Sequence, residues 1–242
     1  MANAQELDDR VAATRVETLL NEVFAGVGAL AARVVALYER ASAEGRAPST
    51  ADLAALRPII LEHLRGPGPA LAGTGVIMAP GLLADEPRWL EWLRLPLGSD
   101  EPCPLSVDLD PHSVAGYEYT STEWFAAPRR SGRRVVVGPY VDYAGTDEYI
   151  LTFAEPIRSG ERFLGVAAAD IRAGDFEQAM LPVLDATAPR AALVNAFGRV
   201  IASNSPETLL GLLAPEARQE RPLPRGGEWA DCDGLPWSIR TV

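Results

Sequence analysis

Between Tyr117 and Ile171, aromatic and acidic residues interleave more densely than a plain β-sheet requires. They run Tyr117, Tyr119, Glu123, Trp124 and Phe125, then Tyr140, Asp142 and Tyr143, and finally Asp170. An ammonium group removed from water needs carboxylate or carbonyl acceptors, and aromatic faces add cation–π attraction of roughly 0.5–2 kcal/mol. This window supplies both, so it can be read as a pocket for a small organic cation. The same residues also suit a plainer role, with the aromatics filling a core and the aspartates closing turns at strand ends.

Other chemistry finds fewer footholds. The two histidines are His63, in a Glu62-His63 pair without metalloprotease spacing, and His112, which follows Asp108, Asp110 and Pro111 in an acidic loop. A carboxylate–histidine loop can bind metal, but acidic loops are common in a chain this anionic, and no metal is expected. Nucleophile elbow, P-loop and dinucleotide fingerprints are missing, which removes the usual markers of acyl transfer, nucleotide hydrolysis and hydride transfer. No cofactor is expected. Glu118, Glu123, Asp142 and Asp170 could still meet as the paired carboxylates of a hydrolase, although such a cluster without His, Lys or Cys serves cation binding at least as well.

Composition sets the frame for these residues. The 242 residues carry 22 basic against 33 acidic side chains, a net charge of −11, so the field around the molecule repels polyanions. Nucleic acid and anionic membranes are therefore not expected partners, and the cluster Arg129, Arg130, Arg133 and Arg134 reads as a solvated approach to a hairpin. Cys103 and Cys232 stand far apart, outside any C-x-x-C spacing, which suits a reducing compartment. No segment is expected to reach the length of about 20 apolar residues needed to cross a bilayer; the best run, Gly73 to Ala84, is short and holds Pro80, and Met1 to Arg10 is polar and acidic, unlike a secretory leader. A cytoplasmic location is the expectation for the chain as it stands, unless it is cut from a longer membrane protein.

Positioning the candidate pocket requires helices first and strands after, an α+β arrangement. Val16, Leu20, Val23, Val27, Leu30, Val34 and Leu37 form a helical stripe of heptad period, interrupted by Gly26 and Gly28 and stopped near Gly45. The stripe packs on the rest of the fold or on a second chain. Ser49 with Asp52 resembles a capping box opening a second helix, which Pro58 is expected to kink and Gly66 to end. Strands are expected at Gly75 to Ala79, Leu105 to Leu109, Arg134 to Tyr140, Tyr149 to Ile157 and Phe163 to Ile171, the last three as an antiparallel meander. A short helix, Ser121 to Ala127, should end at Pro128, and another, Asp175 to Leu181, at Pro182. Beyond lie strands at Ala191 to Asn195 and Arg199 to Ala202, a connector from Pro215 to Gly227, and strands at Trp229 to Cys232 and Trp237 to Thr241 around the turn Asp233-Gly234. Three parts follow: a helical segment over 1–66, a sheet domain over 67–172 and a smaller unit over 173–242 that must lean on the others for its core.

At this point five short motifs stand in register: Trp124-Phe125-Ala126, Gly138-Pro139-Tyr140-Val141-Asp142, Ala154-Glu155-Pro156-Ile157, Gly165-Val166-Ala167-Ala168-Ala169-Asp170-Ile171, and Asn195 to Ser203. Together they resemble the extracellular double Cache sensor domains. The resemblance implies a long N-terminal helix on a PAS-like antiparallel sheet domain that holds the ligand, followed by a second PAS-like unit, here smaller and abbreviated. It implicates Tyr117, Thr122, Trp124, Phe125, Tyr140, Asp142 and Asp170 as ligand-binding residues. Thr122 stands where amino-acid-sensing members carry an Arg that grips the ligand carboxylate.

With that clamp replaced and the amine-binding side kept, the resemblance implies a small amine or polyamine ahead of a free α-amino acid. Thr122 can still donate one hydrogen bond, and Arg133 or Arg134 can substitute from elsewhere. The expected function is therefore a non-catalytic, free-standing sensor of an amine or amino-acid-like ligand. Its output would pass through a homodimer of the N-terminal helix or an unknown protein partner. Two alternatives stay open: an enzyme working on a small amine through the same carboxylates, and a structural dimerisation module whose pocket is filled by its own aromatics.

Overall fold

The computed structural model describes residues 4–143, 145–214, 219–222 and 237–241, with side chains described outside 4–13 and 219–222. Its first element is the expected long helix, α1 (Ala4–Ala43), closed just before Gly45, whose φ of 72° only glycine adopts without strain. The stripe from Val16 to Val34 is buried, while Leu37 lies half-covered. Gly26 is a site of close approach as well as a weak point: a Cβ there would lie 2.0 Å from the His63 ring. The segment also corrects the expectation that nothing could cross a bilayer. Between Glu22 and Glu39 the only charge is Arg33, and Thr14–Ala43 contains an 18-residue window of mean hydropathy 1.5, long and apolar enough for a span. Interrupting glycines and a periodic stripe concealed the low charge density.

The capping box is present: Ser49 accepts from the Asp52 backbone, and Asp52 accepts from that of Ser49. It opens α2 (Thr50–Ala54), but the chain breaks there and restarts as α3 (Arg57–Leu64). Pro58 sits in the first turn of α3 rather than kinking a single helix, since a first-turn residue needs no intrahelical N–H bond.

The larger sheet contains β1 (Gly73–Met78), β2 (Leu90–Arg94), β3 (Cys103–Pro104), β4 (Val135–Val141), β5 (Tyr149–Ser159) and β6 (Arg162–Arg172), in the order β3-β2-β1-β6-β5-β4. The expected meander is β4-β5-β6, antiparallel throughout. β2 is absent from the sequence reading, and Leu105 to Leu109 is not a strand. That segment is extended, with one backbone bond from Leu105 N to Trp92 O, and Asp108 O receives Tyr117 N instead of a neighbouring strand. Apolar alternation there serves as cover over the sheet.

α4 (Glu123–Ser131) and α5 (Ala173–Thr187) both run through the prolines expected to end them. In α5, Val183 and Leu184 beyond Pro182 are buried, and this packing holds the last turn against the missing N–H. In α4, Ala127 and Pro128 are buried and the helix continues to Gly132, a left-handed cap at φ 71°.

The smaller sheet has β7 (Ala191–Val194), β8 (Val200–Ser203), β9 (Gln219–Pro222) and β10 (Ser238–Thr241), in the order β8-β7-β10-β9. Asn195 Oδ1 accepts the backbone N–H groups of Phe197 and Arg199 and so shapes the β7–β8 turn. β9 falls within the stretch read as a connector. The expected strand Trp229 to Cys232 and the turn Asp233-Gly234 lie outside the described residues. A continuous core joins the two sheets: Phe153 of β5 meets Phe176 of α5 at 6.1 Å, and Phe176 meets Trp237 edge-on at 5.9 Å. The result is an α+β architecture of a long helix on a PAS-like antiparallel sheet with a second, smaller sheet.

Candidate functional site

Alternation along the strands gives the larger sheet two distinct faces. Phe153 points to α1, meeting Phe24 edge-on at 5.6 Å, so its neighbours Thr152 and Ala154 point the other way. Across the ladder, Thr152 is opposite Asp170, Asp170 is opposite Gly73, and Ala168 is opposite Gly75, which is opposite Trp92. This second face is the floor of a cavity. Ile77, Leu90 and Trp92 line it from β1 and β2, Thr152, Ala168 and Asp170 from β5 and β6, Tyr140 from β4 and Asp142 from just beyond its end. Leu105, Tyr117 and Trp124 close it from the covering loop and α4.

Asp142 is held where β4 ends. Its backbone N–H donates to Glu148 O at 3.0 Å and its carbonyl accepts from Gly145, Thr146 and Asp147. Its Oδ2 accepts the Thr146 backbone N–H at 3.0 Å and the Thr146 hydroxyl at 3.3 Å. Gly145 is required by close approach, because a Cβ there would lie 2.1 Å from Asp142 Oδ2. The Tyr117 hydroxyl is within hydrogen-bonding reach of the same carboxylate.

Asp170 is bound from β5. The Thr152 hydroxyl donates to Asp170 Oδ1 at 2.7 Å, which leaves Thr152 Oγ1 to accept from the Tyr140 hydroxyl at 2.8 Å. Burial pushes the Asp170 carboxyl up to about 8; the Thr152 hydrogen bond opposes the rise, and the Asp142 and Glu148 charges add to it. Burial also raises Asp142, against its bonds to Thr146 and Tyr117. Both tyrosine hydroxyls are driven upward, first by burial and then by the nearby aspartates, so they remain donors at any physiological pH. Two carboxyls resisting ionisation in one apolar enclosure form a site that a cation would relieve.

No cationic side chain lines the cavity among the described residues. Arg172, at the end of β6, is engaged with Glu148 at 2.5 Å and with Leu95 O. The cavity between the walls is small, about 20 Å3. The aromatic walls therefore stand close together.

Of the residues expected to bind ligand, Tyr117, Trp124, Tyr140, Asp142 and Asp170 converge on this cavity. Thr122 and Phe125 are placed elsewhere. Thr122 precedes α4 and donates its hydroxyl to Tyr119 O at 2.7 Å. Phe125 is wholly buried behind Trp124, edge-on to Tyr119 at 5.2 Å and to Phe163 at 5.5 Å. Arg134 stands over the Phe24 ring on the α1 side, 4.7 Å from its centroid, and does not line the cavity. Thr152 and Trp92 were missed. Thr152 had a signal, being the polar residue inside the apolar run Ile150 to Ala154, whereas Trp92 required recognition of β2.

Comparison with known proteins bears on the fold. Residues 106–178 match the family model described as the first PDC sensor domain of methyl-accepting chemotaxis protein-like proteins. Among solved structures, a protein described as methyl-accepting chemotaxis protein X superposes with a TM-score of 0.57 at 17% identity, covering 94% of each chain. The ligand-binding domain of the Pseudomonas aeruginosa amino-acid chemoreceptor PctC, in complex with GABA, gives 0.55 at 18% identity over 96% of this chain and 95% of that one. The ligand-binding domain of the Campylobacter jejuni chemoreceptor Tlp3, in complex with L-valine, gives 0.59 at 15% identity over 87% and 73%.

The expected cytoplasmic location is overturned. Similar structures include one described as the extracellular domain of a histidine kinase, and α1 carries a window long and apolar enough to cross a membrane. The architecture is that of double Cache, or PDC, sensor domains, and residues 106–178, which carry Tyr117, Trp124, Tyr140, Asp142, Thr152 and Asp170 of the pocket, match the first PDC sensor domain of methyl-accepting chemotaxis protein-like proteins.

Proposed function

We propose that the chain is an extracytoplasmic sensor domain that binds a small amine or amino-acid-like molecule between the larger sheet and its covering loop. The observation that carries this reading is the pairing of Asp142 and Asp170 in an aromatic cavity with no cationic side chain among its described lining residues. The ligand's ammonium group sits at the two carboxyls, with Tyr117, Tyr140 and Trp124 as its walls. Residues 67–172 act as the binding unit, and 1–66 and 173–242 as helical and smaller-sheet flanks. Binding shifts Trp124 relative to the sheet. The change reaches α1 through Phe153 and Phe24, and from there a second copy or an output partner. Similar chemoreceptor domains are described in complex with L-valine, GABA and L-serine, which supports a compact amino-bearing ligand. The cavity holds, and does not transform, what it binds.

A thermal-shift screen of amines, polyamines and amino acids tests the reading. Ligand at about a hundred times its dissociation constant adds about 2.7 kcal/mol of stability, and Asp170→Ala removes that gain. A flat screen, or a stabilising amine that binds Asp170→Ala equally well, refutes it.

A further inference from the structure

Most hydroxyl and carboxyl groups of the cavity have a partner within it, while one fully buried donor among its described lining residues has none. Tyr140, Thr152 and Asp170 form a relay of hydrogen bonds, and Tyr117 reaches Asp142. The indole Nε1 of Trp92 is buried and has no hydrogen-bond partner, in a side chain only 6% exposed that lines the cavity. A buried tryptophan N–H ordinarily finds an acceptor, and leaving a donor unmatched costs about 1–3 kcal/mol.

Its position is fixed by Gly73. A Cβ on Gly73 would lie 2.5 Å from Trp92 Nε1, and Gly73 is directly opposite Asp170 in the ladder. The indole N–H therefore lies beside the Asp170 position, on the cavity face of the sheet. A molecule whose cationic end meets the aspartates presents its next polar atom to Trp92.

Resting on the amine-binding reading above, we propose that Trp92 is a ligand-binding donor and that the ligand is an amine carrying a neutral hydrogen-bond acceptor, a hydroxyl or amide carbonyl, a few bonds from its ammonium group. A carboxylate in that place would face two aspartates with only a neutral donor to receive it. Amino alcohols and amino amides thus fit the cavity better than a free amino acid of equal size.

Calorimetric titration of the full chain with glycinamide, ethanolamine, propylamine and glycine tests the assignment. Glycinamide and ethanolamine bind roughly three- to ten-fold more tightly than propylamine, the range of one neutral hydrogen bond, and glycine binds more weakly than glycinamide. In Trp92→Phe the preference over propylamine falls to near one. Should that variant fold poorly, the 15N-labelled indole spectrum of the parent chain decides. One tryptophan N–H moves downfield with glycinamide and stays in place with propylamine.

Equal binding of propylamine and glycinamide by the parent chain overturns the assignment, since the indole is then satisfied by water alone. An equal loss for every ligand in Trp92→Phe does the same, leaving Trp92 as packing. In both outcomes the amine-binding reading survives. Absence of binding by any of the amines, or binding that persists in Asp170→Asn, overturns that reading and the Trp92 assignment with it.

Discussion

Thr152 donates its hydroxyl to Asp170 Oδ1 at 2.7 Å across directly opposed positions of β5 and β6. Because that hydroxyl has one proton, Tyr140 must donate to it in turn. That direction holds while Asp170 Oδ1 carries no proton, and both ends of the relay lie in the cavity.

Thr152→Val keeps the shape and removes the link. Asp170 loses its donor and the Tyr140 hydroxyl its acceptor, a loss of about 1–3 kcal/mol measurable by chemical denaturation. The Asp170 carboxyl rises further above about 8, which a carbon-detected NMR titration reads directly.

Asp170 also sets a pH dependence. Its folded value of about 8 lies above the ordinary value of about 3.9, so between these two the folded state binds more protons than the unfolded one. Stability accordingly falls as pH rises through that window, by on the order of 1 kcal/mol per pH unit at its steepest. Asp170→Asn flattens the profile. A cation that prefers the ionised carboxylate binds more tightly as pH approaches 8 and expels a proton below it. Calorimetry in buffers of differing ionisation enthalpy counts that proton.

Thr122 separates the expected site from the observed one. Its hydroxyl bonds Tyr119 O and lines no part of the cavity. Thr122→Ala lowers stability by about 1 kcal/mol, while amine affinity stays within about two-fold, less than 0.5 kcal/mol. A large affinity loss without a stability change would place Thr122 at the ligand.

Gly26→Ala reverses the usual helix preference. Alanine gains up to about 1 kcal/mol of propensity, but its Cβ would lie 2.0 Å from the His63 ring, which is also anchored to the Thr74 hydroxyl at 3.0 Å. The single variant is destabilised by about 1–3 kcal/mol. Pairing it with His63→Ala removes the obstruction, so the two changes are non-additive in a double-mutant cycle.

Much of this was legible in the sequence. The stripe Val16 to Val34, the Ser49–Asp52 box and the meander from Val135 to Arg172 each repeat one period over many residues, so local chemistry and burial agree. Pro128 and Pro182 misled because helix packing outweighed a missing N–H, a balance no local pattern records. Trp92 was hidden because Leu93 and Leu95 blur the alternation of β2, and Thr122 and Phe125 because one helical turn decides which side chain faces the cavity. The low charge of Val23–Tyr38 is also legible, but it is masked by the heptad period of the same residues.

β6 is the last strand of the larger sheet to be synthesised, yet it lies between β1 and β5. Without it, β1 with β2 and β4 with β5 would be separate antiparallel pairs, each exposing an edge. Closing the sheet joins Gly73 to Asp170, about a hundred residues apart, a long-range pairing of the kind that slows folding. The strand bearing Asp170 thus acts as a keystone, and recognition is assembled only as the two halves lock.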